Sequence, residues 1–425
     1  MSKLEQIKGV LLNNSNVSSF TVNELNENRY ELYFVLNKVE TARKVNVTTY
    51  NITIFHNYGN AVGSYSYSLN DAFTNKELLS SVEEALTRCS YAQNKPFELP
   101  EPELDYLKIE SNISEYPLDV VATNVSKAIF KADTFKDGWI NSTEIFVSRN
   151  NYHFINSKGA DVAYSDYRLF IELIPTYKGK QEEVELYLSY STNDIDYDEI
   201  TEMVNDKLLQ AKERGEATSI PNDLTKINVL LKNEAVTNIM KYFVSELTYQ
   251  SQLRHVSKLN IGSVIDCDIS LSMEPVIKGS PYSMIIDKYG KTLRPILLID
   301  NKKVVNFHGD YVEGKYFGES NPTGTISNFK VKANSPIEYK ELVKEPYLEI
   351  LGFSAFQLDS FSGFYGGEVR LALYFDGKKL TPVSGFSISG NLFDDFKNMK
   401  FSKEEGRHSV YSGPKYICVP MTIAK

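Results

Sequence analysis

The chain contains little cysteine. Among its 425 residues there are three, Cys89, Cys267 and Cys418, which are odd in number and far apart in sequence. Such cysteines indicate neither a disulfide framework nor a paired-cysteine metal site. We therefore expect a protein of a reducing compartment, and the cytoplasm is the simplest one.

Long apolar runs are also missing. The opening residues MSKLEQIKGVLLNNS contain no apolar stretch of signal-peptide length. No later segment approaches the roughly 20 apolar residues that a membrane helix requires. We expect neither export nor membrane anchoring.

The positive charges form no cluster. The net charge is −9 with a pI near 5.3, and the lysines and arginines are scattered along the chain. Nucleic-acid binding depends on a clustered basic face, so this pattern argues against that class of partner.

Recognisable catalytic motifs are absent from the sequence. No H-E-x-x-H, P-loop, G-x-S-x-G or G-x-G-x-x-G occurs. No two histidines stand at metal-ligand spacing, and each is better interpreted as structural or as a surface residue. The histidines are His56, His153, His255, His308 and His408. The residues alone therefore indicate no catalytic group in this chain.

The chain does have enough apolar residues to fill more than one hydrophobic core. Its hydrophobic content is 42% and its aromatic content 12%, with 28 Tyr and 23 Phe against one Trp. This length favours two to three domains, and the aromatic and β-branched residues favour strands.

Hydrophobic periodicity predicts an earlier part of the chain with both helices and strands and a later part made mostly of strands. Helical spacing predicts an opening helix and further helices over residues 75–92, 118–131, 198–214 and 233–247. Alternation predicts strands over residues 29–40, 44–57, 143–150, 167–177, 182–192 and 227–232. Two hairpins are predicted later, over residues 295–309 around Asp300 and Asn301, and over residues 368–383 around Asp376 and Gly377.

A polar segment containing Pro221 marks the best domain boundary. We predict an α+β fold with two domains. Residues 1–220 form an N-terminal α/β domain with an antiparallel sheet and flanking helices. Residues 221–425 form a mostly antiparallel β domain, barrel-like or sandwich-like, with few helices.

The stretch TPVSGFSISGNLFDDFKNM, residues 381–399, predicts a strand that runs into a short helix. Gly390 is predicted to turn the backbone, Asn391 to cap the helix, and Asp394 to meet its free amides. One apolar stripe is expected on this helix, formed by Leu392, Phe393, Phe396 and Met399.

That stretch, followed by YSGPKYICVPMTIAK, resembles the C-terminal signature of the TldD/PmbA family. Three further segments resemble the family's other segments in the same order along the chain. They are SSVEEALTRCSYAQNKPFELPEP, FINSKGADVAYSDYR and KGSPYSMIIDKYGKTLRPILLIDNKKVVNFHGD. The resemblance extends over most of the sequence.

The resemblance implies a choice between two branches. The TldD branch is a zinc peptidase with H-E-x-x-x-H on the first helix of its second domain and a cysteine ligand near the C-terminus. The PmbA or TldE branch lacks this motif and pairs with the zinc-bearing subunit. Alignment places Lys241 and Glu246 at the two histidine positions and Ser412 at the cysteine. Catalytic zinc requires three protein ligands, and none of the three is present here.

The resemblance therefore implies a non-catalytic, TldE-like subunit of a two-subunit zinc metallopeptidase that acts on unfolded peptides. Zinc is expected only in the partner, a TldD-like chain, and no metal or other cofactor in this one. An extended peptide would be held mainly through its backbone, and the residues that could contact it are Ser362, Gly363, Tyr365 and Asn391. These four residues could equally be turn and cap residues only.

Two alternatives remain open. The chain could form a homodimer or larger homo-oligomer that captures peptides without cutting them. It could also be a zinc peptidase with displaced ligands, supplied by His255, His308 and Cys418.

Overall fold

The computed structural model describes residues 2–179 and 182–424. The helices within these ranges are α1 (Lys3–Asn13), α2 (Asn75–Cys89), α3 (Leu118–Lys131), α4 (Tyr197–Glu216), α5 (Glu234–Glu246), α6 (Tyr249–Leu253), α7 (Tyr311–Phe317), α8 (Tyr339–Leu342) and α9 (Leu392–Asp395). Two 3₁₀ turns cover Asn112–Glu115 and Phe396–Asn398. Among these helices, none is both long and apolar enough to cross a membrane.

The strands fall into an N-terminal and a C-terminal set. The first set is β1 (Ser19–Val35), β2 (Lys38–Asn57), β3 (Val62–Asn70), β4 (Gln93–Asn94), β5 (Gly138–Asn156), β6 (Asp161–Lys178), β7 (Glu183–Glu185) and β8 (Leu188–Thr192). The second set is β9 (Thr218–Ser219), β10 (Lys226–Lys232), β11 (Ile269–Met273), β12 (Ile296–Asp300), β13 (Lys303–Val304), β14 (Phe329–Ala333), β15 (Tyr347–Leu358), β16 (Phe364–Phe375), β17 (Leu380–Ser384), β18 (Phe386–Asn391), β19 (Lys400–Phe401), β20 (Glu405–His408), β21 (Tyr411–Pro414) and β22 (Tyr416–Ala424). The predicted α+β class is confirmed.

The N-terminal strands form one antiparallel sheet. Its order is β4-β3-β2-β1-β5-β6-β7, and β8 also pairs with β6. Helices cover one face in two groups: α1 and α2 pack over Phe20 and Val22, while α3 and α4 pack over Leu32 and Phe34. These four β1 residues alternate along the strand and so lie on the same face.

Two predicted strands are wrong in detail. The run over residues 29–40 is broken by a turn at Leu36 and Asn37, where Leu36 has a φ of 54°. Neither glycine nor proline announces this turn. The run over residues 182–192 forms two short strands, β7 and β8, which pair with different parts of β6.

The centre of the C-terminal half is a closed five-stranded barrel. Its order is β15-β10-β22-β18-β16, and pairing of β15 with β16 closes the ring. The predicted C-terminal β architecture is thereby confirmed in its barrel form. The pairing is mostly antiparallel, although β10 and β15 run parallel.

A second C-terminal sheet packs with the barrel around one apolar core. Its order is β13-β12-β11-β14-β21-β20. Both predicted hairpins are present, since β12 pairs with β13 and β16 pairs with β17. The turns fall where Asn301 and Gly377 have positive φ values.

The two halves contact each other through apolar and charged groups. Phe154 and Val162 from the N-terminal sheet share a cluster with Ile285 and Ile286. The short strand β9 precedes the first barrel strand, β10, in the sequence, and it pairs with β17 beside the barrel. The boundary between residues 220 and 221 stays a prediction.

Candidate functional site

The helix to which the sequence assigns the degenerate metal positions is α5. Its predicted buried side is confirmed, because each of its members is at most 1% exposed. These residues are Val236, Ile239, Met240, Phe243 and Leu247. Because β10 leads directly into α5 and these side chains fill the core, the helix is fixed against the C-terminal sheets.

Lys241 lies on the exposed side of α5. The positive charge of Lys241 affects His408. Burial is the main cause that lowers the pKa of His408, and the nearby cations Lys241 and Arg407 lower it further. The Nδ1 atom of His408 lies 3.2 Å from the Thr237 hydroxyl. This part of α5 therefore presents a cation, which repels a metal ion.

Glu246 lies at the end of α5 and is 7% exposed. Its Oε2 atom accepts a hydrogen bond from the Ser257 hydroxyl at 3.1 Å and from the Lys258 backbone N–H at 2.5 Å. The carboxylate thus fixes the chain that follows α6. A side chain held in this way is not free to act as a metal ligand without losing these contacts.

Ser412 lies on β21 in the second C-terminal sheet, where it pairs with Lys330 and Arg407. No hydrogen bond or ion pair joins Lys241, Glu246 and Ser412 among the residues described. In the same ranges, no group of three His, Cys, Asp or Glu side chains could hold a metal ion. The donor set around α5 therefore does not fit zinc.

The displaced ligand set is not brought together either. His255 is exposed on the loop after α6, while Cys418 lies in a cluster with Leu230 and Tyr347. His308 is buried, and its Nε2 donates to the Val244 carbonyl at 2.9 Å. Burial lowers the pKa of His308 to about 4, so the imidazole is neutral at pH 7.

The four predicted peptide-contacting residues do lie close together, at the tip of the β15–β16 hairpin and the start of α9. Asn391 donates from Nδ2 to the Ser362 carbonyl at 2.9 Å, and its Oδ1 accepts from the Phe393 N–H at 3.0 Å. Gly363 has a φ of 79°, and a side chain there would collide with the Phe393 ring. Asn391 is therefore the helix cap that the sequence predicts.

Tyr365 is the fourth of these residues and is fully buried. Its hydroxyl donates to Asp395 at 3.0 Å, and both burial and this carboxylate raise the pKa of the phenol. Peptide contact by the four residues stays a prediction. In this structure the Tyr365 hydroxyl is hydrogen-bonded to Asp395, and the Asn391 amide is hydrogen-bonded to the hairpin tip and to the start of α9.

Two details of the predicted strand-to-helix junction are wrong. The carboxylate that meets the helix start is Asp395, whose Oδ2 accepts from the Asn391 N–H at 3.0 Å, and not Asp394. Gly390 does not turn the chain, since it lies within β18. Its small size is needed because a Cβ atom would lie 2.6 Å from the Tyr365 ring.

The short helix α9 and the 3₁₀ turn Phe396–Asn398 that follows it pack on α5. The Phe396 ring lies 4.9 Å from the Phe243 ring and 5.7 Å from the Tyr242 ring. Leu392 is fully buried and Met399 is 6% exposed. The C-terminal strand-to-helix element therefore supports the helix that carries the degenerate metal positions.

Sequence reasoning missed Lys258, which joins these parts. Its Nζ donates to the carbonyls of Ser360 and Phe361 at 3.1 and 2.8 Å, and lies 4.0 Å above the Phe393 ring. The adjacent Glu246 carboxylate holds the Lys258 backbone. No spacing in the sequence connects residue 258 with the hairpin tip, which is about one hundred residues away.

Apolar side chains are exposed on the hairpin tip that Lys258 contacts. Phe361 is 73% exposed and Phe364 is 43% exposed. We call these two residues the tip surface. Exposed apolar groups that are close together often mark a binding surface.

The overall fold is found in three solved structures. A candidate modulator of a DNA gyrase from Thermotoga maritima has a TM-score of 0.79 at 15% identity, over 99% of this chain and 100% of that one. TldE from Thermococcus kodakarensis has a TM-score of 0.79 at 17% identity, over 99% and 100%. A candidate modulator of DNA gyrase from Bacteroides thetaiotaomicron has a TM-score of 0.79 at 14% identity, over 99% and 97%. At these identities the likeness shows the fold.

The family is given by the C-terminal half. A model of the PmbA/TldA metallopeptidase C-terminal domain matches residues 225–425. Residues 225–425 therefore belong to the PmbA/TldA metallopeptidase C-terminal domain family. No curated protein matches the sequence.

Proposed function

We propose that the chain is a non-catalytic, TldE-like subunit of a two-subunit zinc metallopeptidase that acts on unfolded peptides. The observation that supports this most is the chemistry of α5. Lys241 places a cation where a ligand is expected, and the Glu246 carboxylate is occupied by Ser257 and Lys258. A chain with this helix needs a second subunit to supply the metal.

The role of this subunit is to complete and stabilise the complex. Zinc in the partner would act as the Lewis acid and activate water. This chain would contribute binding surface and strand edges, which hold an extended peptide through its backbone.

The tip surface is the part of this chain that we assign to the partner. Phe361 and Phe364 project from the hairpin tip beside α5, and Lys258 fixes the carbonyls of that tip. Apolar side chains of this size become favourable contacts when a partner covers them.

Co-purification tests the pairing. The tagged chain is co-expressed with a related chain that carries H-E-x-x-x-H, and Phe361→Ser is compared with Leu380→Ser. Leu380 is the control, since it is 45% exposed at the start of β17 and pairs with Phe375, at the end of β16 that is opposite the tip. We expect wild type and Leu380→Ser to retain the partner and Phe361→Ser to lose most of it.

Two results contradict the proposal in different ways. Retention of the partner by Phe361→Ser at the wild-type level would contradict the assignment of the tip surface. Recovery of only a homo-oligomer from the co-expressing cells would contradict the heteromeric subunit itself.

A further inference from the structure

A cavity lies beside the outer edge of the N-terminal sheet, away from α5. Its volume is about 520 Å³, within the range of small-ligand sites. On one side it is lined by residues 104–110 of the connector between β4 and α3, and on the other by residues 162–165 of β6, with Ile285 also contributing. We call this cavity the edge slot.

Main-chain segments border the slot on both sides, the connector on one and β6 on the other. Successive side chains of an extended chain point in opposite directions. Seven consecutive connector residues and four consecutive β6 residues line the slot. Consecutive lining of this kind means that the strand edge itself, with its N–H and C=O groups, borders the cavity.

The edge of β6 is free at this point. On one side β6 pairs with β5 from residue 161 onward. On the other side, β8 pairs only with residues 169–173 and β7 only with residues 176–178. Within the described chain, residues 161–168 therefore have no strand on their outer side, and alternate N–H and C=O groups there point outward.

The connector runs beside this edge without pairing with it, and its Tyr106, Leu107 and Ile109 side chains pack on the cluster that contains Val162 and Ile285. Residues 95–110 form neither helix nor strand and make no backbone–backbone hydrogen bond within the ranges described. Side chains hold the segment at both ends. Lys158 binds Glu98 at 2.9 Å, Lys291 binds Glu103 at 2.7 Å, and Asn112 exchanges hydrogen bonds with Ile195. The connector is therefore held beside β6 by side chains and not by backbone pairing, and of its slot-lining carbonyls that of Asp105 accepts a hydrogen bond from Arg294 at 2.5 Å.

We propose that the edge slot binds an extended peptide segment as an added strand between β6 and the connector. Four residues of edge correspond to about 13 Å, or about four residues of extended peptide. The partly buried side chains of Tyr106 and Ile109 line the slot and supply apolar contact. Among the connector residues that line the slot, the charges are mixed, with Asp105, Lys108 and Glu110.

The proposed function supplies the class of ligand, an unfolded peptide, and the inference rests on it in that respect. Backbone pairing is tolerant of sequence, which suits such a substrate. The slot would then act as a second peptide-binding site. It lies at the N-terminal sheet, whereas α5 belongs to the C-terminal half, and it would bind a peptide that extends toward the catalytic subunit.

Peptide binding by the purified chain alone tests the slot. The probe is a fluorescein-labelled, lysine-flanked octapeptide of alternating serine and valine, and the readout is fluorescence anisotropy. Ala163→Trp fills the slot from the exposed edge of β6, and we expect it to weaken binding by about tenfold or more, equivalent to about 1.4 kcal/mol.

Ala42→Trp is the matched control. It makes the same change at an exposed strand alanine that does not line the slot, and binding should change by less than about twofold. Thermal melts of both variants show whether they fold as the wild type does. A second probe, N-methylated at alternate residues, lacks half of the donors and should bind about tenfold more weakly in either register.

The proposal is overturned if the wild type does not bind the probe, or if folded Ala163→Trp binds it as tightly as wild type. It is also overturned if N-methylation has no effect. Because no partner is present, these outcomes are independent of the pairing test. Binding that is lost in Phe361→Ser and retained in Ala163→Trp would favour the tip surface and exclude the slot.

Discussion

Removal of the Phe396 ring should strongly destabilise the C-terminal half of the protein. The side chain is 6% exposed and packs against Phe243 and Tyr242 at centroid distances of 4.9 and 5.7 Å. Substitution of a buried phenylalanine by alanine costs about 3–5 kcal/mol. For a unit the size of residues 225–425, each kcal/mol shifts the melting temperature by about 2–4 °C, so Phe396→Ala should lower it by about 6–20 °C.

Differential scanning calorimetry measures this shift. Phe361→Ala is the control, because that ring is 73% exposed and its loss should change stability by no more than about 0.5 kcal/mol. If Phe396→Ala melted at the wild-type temperature, α9 would not be anchored on α5. The description of the C-terminal element as a support for that helix would then be wrong.

Two further predictions concern buried polar groups. Tyr365→Phe removes the hydrogen bond to Asp395 and should cost about 1.5–3 kcal/mol in urea denaturation, and an unchanged midpoint would contradict this. Asp287 is 3% exposed, and burial raises its pKa to about 6 from an unfolded value near 3.9. Its ionisation therefore opposes folding, so wild type should lose stability relative to Asp287→Asn as the pH rises from about 4 to about 6; a difference that does not vary with pH would refute this.

The longer helices, α1 to α5, could be predicted from the sequence because their signals are local, whereas the short helices α6, α7 and α8 were not predicted. The helix over residues 118–131 begins and ends where the periodicity places it, since Pro117 precedes an unbroken apolar stripe. In α2, Thr74 and Glu77 form a capping box. The buried side of α5 could be read from spacing alone.

Features that depend on distant contacts could not be predicted in this way. Closure of the barrel requires β15 to pair with both β10 and β16. The carboxylate at the start of α9 is Asp395 and not Asp394 because the buried Tyr365 hydroxyl comes from another strand. The turn at Leu36 and Asn37 is fixed by the pairing of β1 with β2, and a single asparagine within an apolar alternating run does not announce it.

The candidate site was predicted in part. Its helix and the closeness of Ser362, Gly363 and Asn391 follow from the sequence and the family resemblance. Lys258 and the edge slot do not, since each depends on segments brought together by the fold. A long connector without secondary structure gives no sign of whether it pairs with the strand beside it.

Peptide hydrolysis by the reconstituted pair tests the division of roles most directly. We predict activity when this chain is mixed with a relative that carries H-E-x-x-x-H, and its loss when the glutamate of that motif is changed. Lys241→Ala and Ser412→Ala in this chain should leave the activity unchanged, because neither residue would touch the reacting carbonyl. Hydrolysis by this chain alone, inhibited by a zinc chelator and abolished by Glu246→Ala, would contradict the account and place the catalytic centre on α5.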